Sequence, residues 1–306
     1  MSARLIIAVD LGGTNLKIGL LDSRYRIIYK GVLSTRSFTT KANLIEAIVD
    51  AVNRVMKEKG LNKSDILGVG LGLPGPIDVK QGRVHFFPNI PGWKDVKLKG
   101  ILARKLKLAI FLDNDANLMS VAEYTLGAAQ GARNAICLTL GTGVGGGIIL
   151  EGKLYRGQAY AAGEIGHMPI NEYGPKCNCR GRACLEAYIG NKRILQEASR
   201  IFKKNISLEE LSRLANSGHK KARALWIKAA RRLGIALVGV INLFNPDCIV
   251  IGGGVANAGR VLFDKVKEIV SRQAMAVQAR HVKILRARLG NDAGLIGAAI
   301  LVKEKV

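Results

Sequence analysis

Acidic side chains are in short supply: 23 Asp and Glu face 47 Lys and Arg, a formal charge of +24 at pH 7. A surplus of that size suits a nucleic acid or polyphosphate partner in principle. The basic residues are spread, however, through helical segments such as 97–107 (KLKGILARKLK) and 218–232. No RNA-recognition signature is present and no helix-turn-helix precedes the first strand, so the charge reads as solvated helix faces, part of which still attracts anionic nucleotides. Aromatics are also few, at 5%, which suits an aliphatic, Gly-turned chain rather than a disordered one. Long apolar runs are missing too. LIIAV near the start is cut short by Asp10 and Gly-Gly, and GLIGAAILV is short, which argues against a signal-peptide core or a membrane helix. The cytoplasm is the expected location. Five unevenly spaced cysteines are too few for a disulfide framework.

Hydrophobic residues make up 48% of the 306, and Gly is plentiful at 36, enough for the cores of two domains. Strand-like runs lie at 4–10, 16–22, 26–33, 66–72, 108–112, 134–140, 145–151, 248–252 and 282–286. Helical periodicity fills 42–58, 118–126, 190–203, 219–244, 260–277 and 293–303. In the clearest helix, Ile45, Ile48, Val49, Val52, Val55 and Met56 share one face. Strands and helices mixed in this order predict α/β layers.

One design occurs twice. LGGTNLKIGLL at 11–21 and TLGTGVGGGIIL at 139–150 are each strand, Gly-Thr turn, strand, with Gly13 and Thr14 aligned to Gly141 and Thr142, and Gly19 to Gly147. The pair suggests a duplicated domain whose turns offer backbone N–H groups and a hydroxyl to phosphates; two ordinary hairpins are the plainer alternative. Other phosphate motifs fit poorly. GTGVGG at 141–146 runs into a strand and GLGLPG at 70–75 contains Pro74, so neither opens a dinucleotide-binding helix; GIILEGK at 147–153 lacks the Ser/Thr of a P-loop. IVIGGGVANAG at 249–259 follows a buried strand and precedes a helix, which fits either nucleotide contacts or a plain turn.

Three cysteines cluster with a histidine. His167, Cys177, Cys179 and Cys184 supply an imidazole and three thiolates, a Cys3His set suited to tetrahedral Zn2+. The surrounding NEYGPKCNCRGRAC has no core of its own and would gain order from the metal. Cys137 and Cys248 lie in strand-like runs and read as small buried hydrophobes. Glu164 and Glu186 flank the cluster; a folded loop brings both near His167 as acceptors for a polyhydroxylated substrate, although Glu186 also suits the start of a helix. LDNDAN at 112–117 follows the strand-like KLAIFL, and its Asp and Asn residues serve equally as turn, helix cap or chemistry.

These segments resemble the ROK sugar kinases of the actin-like/hexokinase-like ATPase superfamily over nearly the whole chain. The resemblance rests on AVDLGGTNLKIGL at 8–20, GLGLPGPID at 70–78, PNIPGW at 88–93, LDNDAN, TLGTGVGGGI, GEIGH with its CxC-x4-C loop, and IVIGGGV. The family's usual CxCGxxGC has Arg180 and Ala183 in place of its glycines here, with ligand spacing intact. It implies an α/β chain with a duplicated actin-like (ribonuclease H-like) ATPase fold, two lobes around a central cleft. The smaller lobe is expected at 1–117 plus about 291–306, and the larger at 118–290 with the zinc loop at 167–184.

The same resemblance implies site residues. Asp10 with Gly12, Gly13, Thr14 and Asn15, and then Gly141, Thr142 and Gly143, hold the ATP phosphates and Mg2+, while Gly252, Gly253 and Gly254 approach the adenosine. The sugar site maps to Gly75, Asn89, Asn114, Asp115, Glu164, His167 and Glu186, with His167 using one ring nitrogen for zinc and the other toward the sugar. The expected activity is ATP-dependent phosphorylation of a hexose 6-hydroxyl, with glucose first and fructose, N-acetylmannosamine and allose as alternatives. Asp115 is the expected proton acceptor for the attacking hydroxyl, and Asp113, one step back along the strand, is expected to point to the other side and serve structure or the helix cap. A polyphosphate donor and a sugar-sensing regulator are the other readings; the regulator needs a DNA-binding domain, for which a first strand beginning by residue 4 leaves no room. A homodimer through the larger lobe is expected, with the apolar stretch 233–244 as support.

Overall fold

The computed structural model describes residues 4–35, 38–87, 90 and 92–306. They divide into two compact units: Met1–Ala122 with Arg156–Ala162 and Asn291–Val306, and Glu123–Tyr155 with Gly163–Gly290. Relative to the lobes expected from sequence, the first unit takes in 118–122 and the short segment Arg156–Ala162.

The first unit is built from β1 (Leu5–Leu11), β2 (Asn15–Leu21), β3 (Ile27–Ser34), α1 (Lys41–Glu58), β4 (Ile66–Leu73), a small sheet of β5 (Ile77–Asp78), β6 (Arg83–Phe86) and β7 (Lys94–Val96), then α2 (Leu98–Leu106), β8 (Ile110–Asn114) and the start of α3 (Asp115–Leu126). The second contains β9 (Ala135–Leu140), β10 (Val144–Leu150), β11 (Lys153–Tyr155), α4 (Glu186–Ile189), α5 (Asn191–Phe202), α6 (Leu208–Asn216), α7 (Lys220–Phe244), β12 (Cys248–Gly252), α8 (Arg260–Gln273), α9 (Ala276–His281) and β13 (Lys283–Arg286). The chain ends in α10 (Ala293–Lys305), which returns to the first unit.

Both units carry a five-stranded sheet of one topology, β3-β2-β1-β4-β8 and β11-β10-β9-β12-β13. In each, the first three strands pair antiparallel and the last two join parallel. The expected α/β duplication is therefore present, and the Gly-Thr turns occupy equivalent hairpins, Leu11↔Leu16 and Leu140↔Val144.

Burial explains the elements. The six α1 residues placed on one face are all buried, and Thr40 caps the helix by accepting the Asn43 N–H at 3.2 Å. The run GLIGAAILV belongs to α10, a helix apolar on every side because it lies against β1, β4 and β8. Among the described residues no helix is long and apolar enough to cross a membrane. Cys137 and Cys248 are buried in β9 and β12, as their context suggested.

Two differences from the expected elements have identifiable causes. The periodicity over 260–277 reads as one helix, yet it breaks between α8 and α9 because Asn242 on α7 accepts the Met275 N–H at 2.9 Å, a cap supplied from elsewhere in the fold. Helix α6 was not expected, although Ser207 and Glu210 carry an S-x-x-E start signal; Ser207 Oγ accepts the Glu210 N–H at 3.1 Å.

Candidate functional site

In the first unit, the parallel strands β1, β4 and β8 are buried runs whose register sets Asp10 beside Gly72 and Gly72 beside Asp113. Polar groups gather at the carboxyl ends of these strands, where ligands bind in open α/β sheets. A Cβ on Gly72 would lie 3.6 Å from Asp115 Cα and 3.8 Å from Asp10 Oδ1, so the residues from 10 and 115 meet over a glycine.

The β8–α3 junction is held by several side-chain bonds, with Asn117 Oδ1 left without a partner among the described residues. Asn114 Oδ1 accepts the N–H groups of Ala116 (2.9 Å) and Asn117 (3.2 Å), capping α3, and its Nδ2 donates to the Gly75 carbonyl at 3.1 Å. Gly75 has φ of +85°, the left-handed conformation the GLPGP turn needs. Asp115 is the first residue of α3, where the N-terminal dipole favours a carboxylate. Asp113 is buried; its Oδ1 accepts the Asn114 N–H (2.8 Å) and Asn117 Nδ2 (3.1 Å), while Oδ2 accepts both Nε (2.9 Å) and Nη2 (2.6 Å) of Arg156. Its structural role thus agrees with the sequence reading, and Arg156 is a partner that reading did not find.

Asp10 stands opposite Lys17 in the β1–β2 register, and Lys17 Nζ bonds its Oδ2 at 3.3 Å and the Asn291 carbonyl at 3.0 Å. Burial pushes the Asp10 carboxyl above its ordinary range while Lys17 opposes the shift. The start of α10 comes so close that a Cβ on Gly294 would meet Asp10 Cγ at 2.5 Å. Neither contact was read from sequence; the hairpin register would have revealed Lys17, whereas nothing local signals Gly294. The adjacent turn is closed by Gly12 N–H to Asn15 O at 2.9 Å, leaving Gly13, Thr14 and Asn15 exposed.

The second unit holds the equivalent turn, closed by Gly141 N–H to Gly143 O at 2.9 Å with Thr142 exposed. Asn191 at the start of α5 donates its N–H to Gly141 O at 2.9 Å, and its Nδ2 lies 3.6 Å from where a Gly254 Cβ would sit, so the turn and the glycine run 252–254 adjoin one another. That run is followed by a short helical turn, Gly254–Ala258, before α8 begins.

Glu186 opens α4 and also reaches back to β10, accepting the Val144 N–H with Oε2 at 2.9 Å. A Cβ on Gly143 would come within 2.5 Å of that oxygen, which is why the turn ends in glycine. Glu164 Oε2 lies 3.8 Å from His167 Nε2. Burial raises the Glu164 carboxyl, His167 opposes the rise, and the Glu186 carboxylate adds to it, so all three side chains share one electrostatic neighbourhood.

His167 turns its other nitrogen, Nδ1, to Cys177 Sγ at 3.5 Å, and Cys179 Sγ is 3.6 Å from Cys184 Sγ. The four donor atoms lie within 4.8 Å of one another. Tetrahedral zinc with ordinary bond lengths sets sulfur atoms about 3.8 Å apart and sulfur and nitrogen about 3.6 Å apart, so the set fits that ion. Burial and the neighbouring sulfurs push the Cys184 thiol up to about 12, whereas the Gly181 N–H, the largest influence on Cys179, holds that thiol below its ordinary value. Arg180 and Ala183, standing where glycines are usual, have φ of +74° and +56°. The loop therefore takes the left-handed conformation at two non-glycine residues, at a cost of about 1–2 kcal/mol per residue.

Of the residues singled out from sequence, the first unit brings together Asp10, Gly75, Asn114 and Asp115 beside the first turn, and the second groups Glu164, His167 and Glu186 with the metal set, and Gly141–Gly143 with the run 252–254. Asn89 lies outside the described residues.

The ROK family pattern matches residues 6–305. The chain is 36% identical to a glucokinase of Halalkalibacterium halodurans over 100% of its own length and 97% of that protein. It is also 28% identical to a xylose repressor of Caldicellulosiruptor bescii, covering 97% of this chain and 77% of that one. Among solved structures, a ROK family glucokinase from Streptomyces griseus in complex with glucose and AMPPNP superposes with a TM-score of 0.84 at 32% identity, covering 98% of this chain and 99% of the other. Matched over residues 6–305 by the family pattern and along its full length by a 36% identical relative, the chain belongs to the ROK family.

Proposed function

We propose that this protein is an ATP-dependent hexose kinase acting on the sugar 6-hydroxyl, with glucose as its first substrate. The observation that carries the reading is Asp115, held at the start of α3 beside Asp10 by a junction in which Asn114 is tied to Gly75 and Asp113 to Arg156. Similarity to named glucokinases supports the substrate class.

In this reading Asp115 accepts the proton of the attacking hydroxyl. Asn114 and Gly75 border the sugar, with Asn89, Glu164, His167 and Glu186 contributing further hydroxyl contacts. Asp10, Gly12, Gly13, Thr14 and Asn15 are phosphate contacts, as are Gly141, Thr142 and Gly143, and Gly252, Gly253 and Gly254 border the adenosine. ATP supplies the phosphoryl group and Mg2+ neutralises its developing charge. Zinc on His167, Cys177, Cys179 and Cys184 is structural, and a reducing cytoplasm keeps such thiols available.

The test is a panel of hexoses with ATP or long-chain polyphosphate, read by phosphorylated product. Glucose with ATP should give the highest kcat/KM, and moderate salt should change it little, because the basic charge is spread over solvated faces. Preference for polyphosphate with steep loss in salt would replace the donor, and no turnover with any sugar would favour the regulator reading suggested by similarity to xylose repressors.

A homodimer through the second unit completes the proposal. Ile235 and Leu243 on α7, with Met275 and Val277 at α9, are large apolar side chains left exposed. Light scattering at micromolar concentration should give twice the chain mass; a monomer would count against it.

A further inference from the structure

We propose that Arg156 is a positioning residue for phosphoryl transfer, setting the β8–α3 junction through its forked pair with Asp113. The proposal rests on the reading of Asp115 as proton acceptor. Asp113 is only 1% exposed, and a carboxylate so buried requires full satisfaction of its oxygens. Two of its four bonds are made within the junction, to the Asn114 N–H and Asn117 Nδ2; the other two come from the Arg156 guanidinium, forty-three positions away in sequence. Among the described residues, no other cation pairs with Asp113.

The geometry makes Asp113 a relay. One oxygen holds the backbone N–H of the residue immediately before Asp115, and the other is clamped by a planar donor that fixes the carboxylate's rotation. Arg156 is itself held in a closed strap, since the Ala162 N–H returns to the Arg156 carbonyl at 3.0 Å. Without the fork, the buried carboxylate loses its cation and reorients toward solvent. That change alters the Asn114 bond and displaces Asp115, and a misplacement of about 1 Å near the chemistry costs on the order of a hundredfold in rate.

The experiment measures kcat and both KM values for Arg156→Ala, Arg156→Lys, Asp113→Asn/Arg156→Ala and Asp115→Asn, with melting temperature for each. Arg156 is 24% exposed, so free guanidinium at a low, non-denaturing concentration can reach the vacated space. Arg156→Ala is expected to lose about ten- to a hundredfold in kcat with the KM for ATP nearly unchanged, and to recover partly with guanidinium but not with ammonium. Arg156→Lys keeps the charge and so the fold, but loses the fork, and should fall between wild type and Arg156→Ala. The double variant, which buries no lone charge, should be no slower than Arg156→Ala.

Wild-type kcat in folded Arg156→Lys and in the double variant would overturn the proposal while leaving Asp115 untouched. A lowered melting temperature with normal kcat and no guanidinium rescue would likewise reduce Arg156 to a stabilising contact. Near-normal turnover in Asp115→Asn would remove the proton-acceptor reading itself and the positioning role with it.

Discussion

Asp115→Asn is expected to retain the fold and much of the sugar affinity while losing about a hundredfold or more in turnover, the ordinary scale for removing a general base. Phosphoryl transfer asks little covalent chemistry of the protein; positioning and electrostatics dominate, but the attacking hydroxyl must still release its proton. The carboxamide is nearly the same size and keeps a carbonyl oxygen at the helix start, so α3 should remain capped by Asn114. What it lacks is basicity. Turnover number and sugar binding measured on the same preparation separate the two effects. Near-normal turnover would exclude Asp115 from the mechanism, and a loss of affinity matching the loss of rate would make it a binding group instead.

With the proposed zinc at the Cys3His set, chelation is expected to disorder residues 171–184 and to weaken sugar binding through Glu186. The loop is held by a few backbone bonds, such as Cys177 N–H to Gly181 O and Ala183 N–H to Pro175 O, both 2.9 Å, and its cysteines lie directly before α4. Losing the ion leaves crowded thiols with nothing to hold them, and Glu186 follows Cys184 by two residues. Cys179→Ser should act like chelation. Metal content, protease nicking within the loop and the KM for sugar report on this chain of events; full activity after verified metal loss would refute the structural role. The opposite effect is expected of Arg180→Gly. Arg180 is exposed and left-handed, so the change removes strain of about 1–2 kcal/mol without emptying a packed site, and zinc should be released more slowly to a chelator. Unchanged or faster release would show that Arg180 contributes more than its backbone costs.

Much of this protein is local in origin and therefore legible without a structure. Alternating and helical apolar patterns located nine of the ten strands of the two main sheets, missing the short edge strand β11, and most long helices, because period decides which face is buried. The duplicated hairpins were visible as a constant offset between two Gly-Thr turns, and the metal set as four ligands from 167 to 184, since both depend on short spacings within one stretch of chain. The alternation of a strand already set Asp113 on the side away from Asn114, and Asp113 is buried in the structure.

Tertiary structure decided the partners. Any of 47 basic side chains was a possible mate for Asp113, and only the return of the strap places Arg156 there. Glu123 reads as one more helix acid, yet it is fully buried and accepts the N–H groups of Ala128, Arg288 and Leu289. The break at Ala274 has no glycine or proline to announce it; a side chain on α7 supplies the cap. Arg180 and Ala183 take a conformation their own preferences oppose, imposed by closure of the loop. In each case the deciding energy belongs to a contact between residues far apart in the chain or to a closure condition on the loop. Composition and period carry no information about where the chain returns, and that return determines which polar group is left to satisfy which.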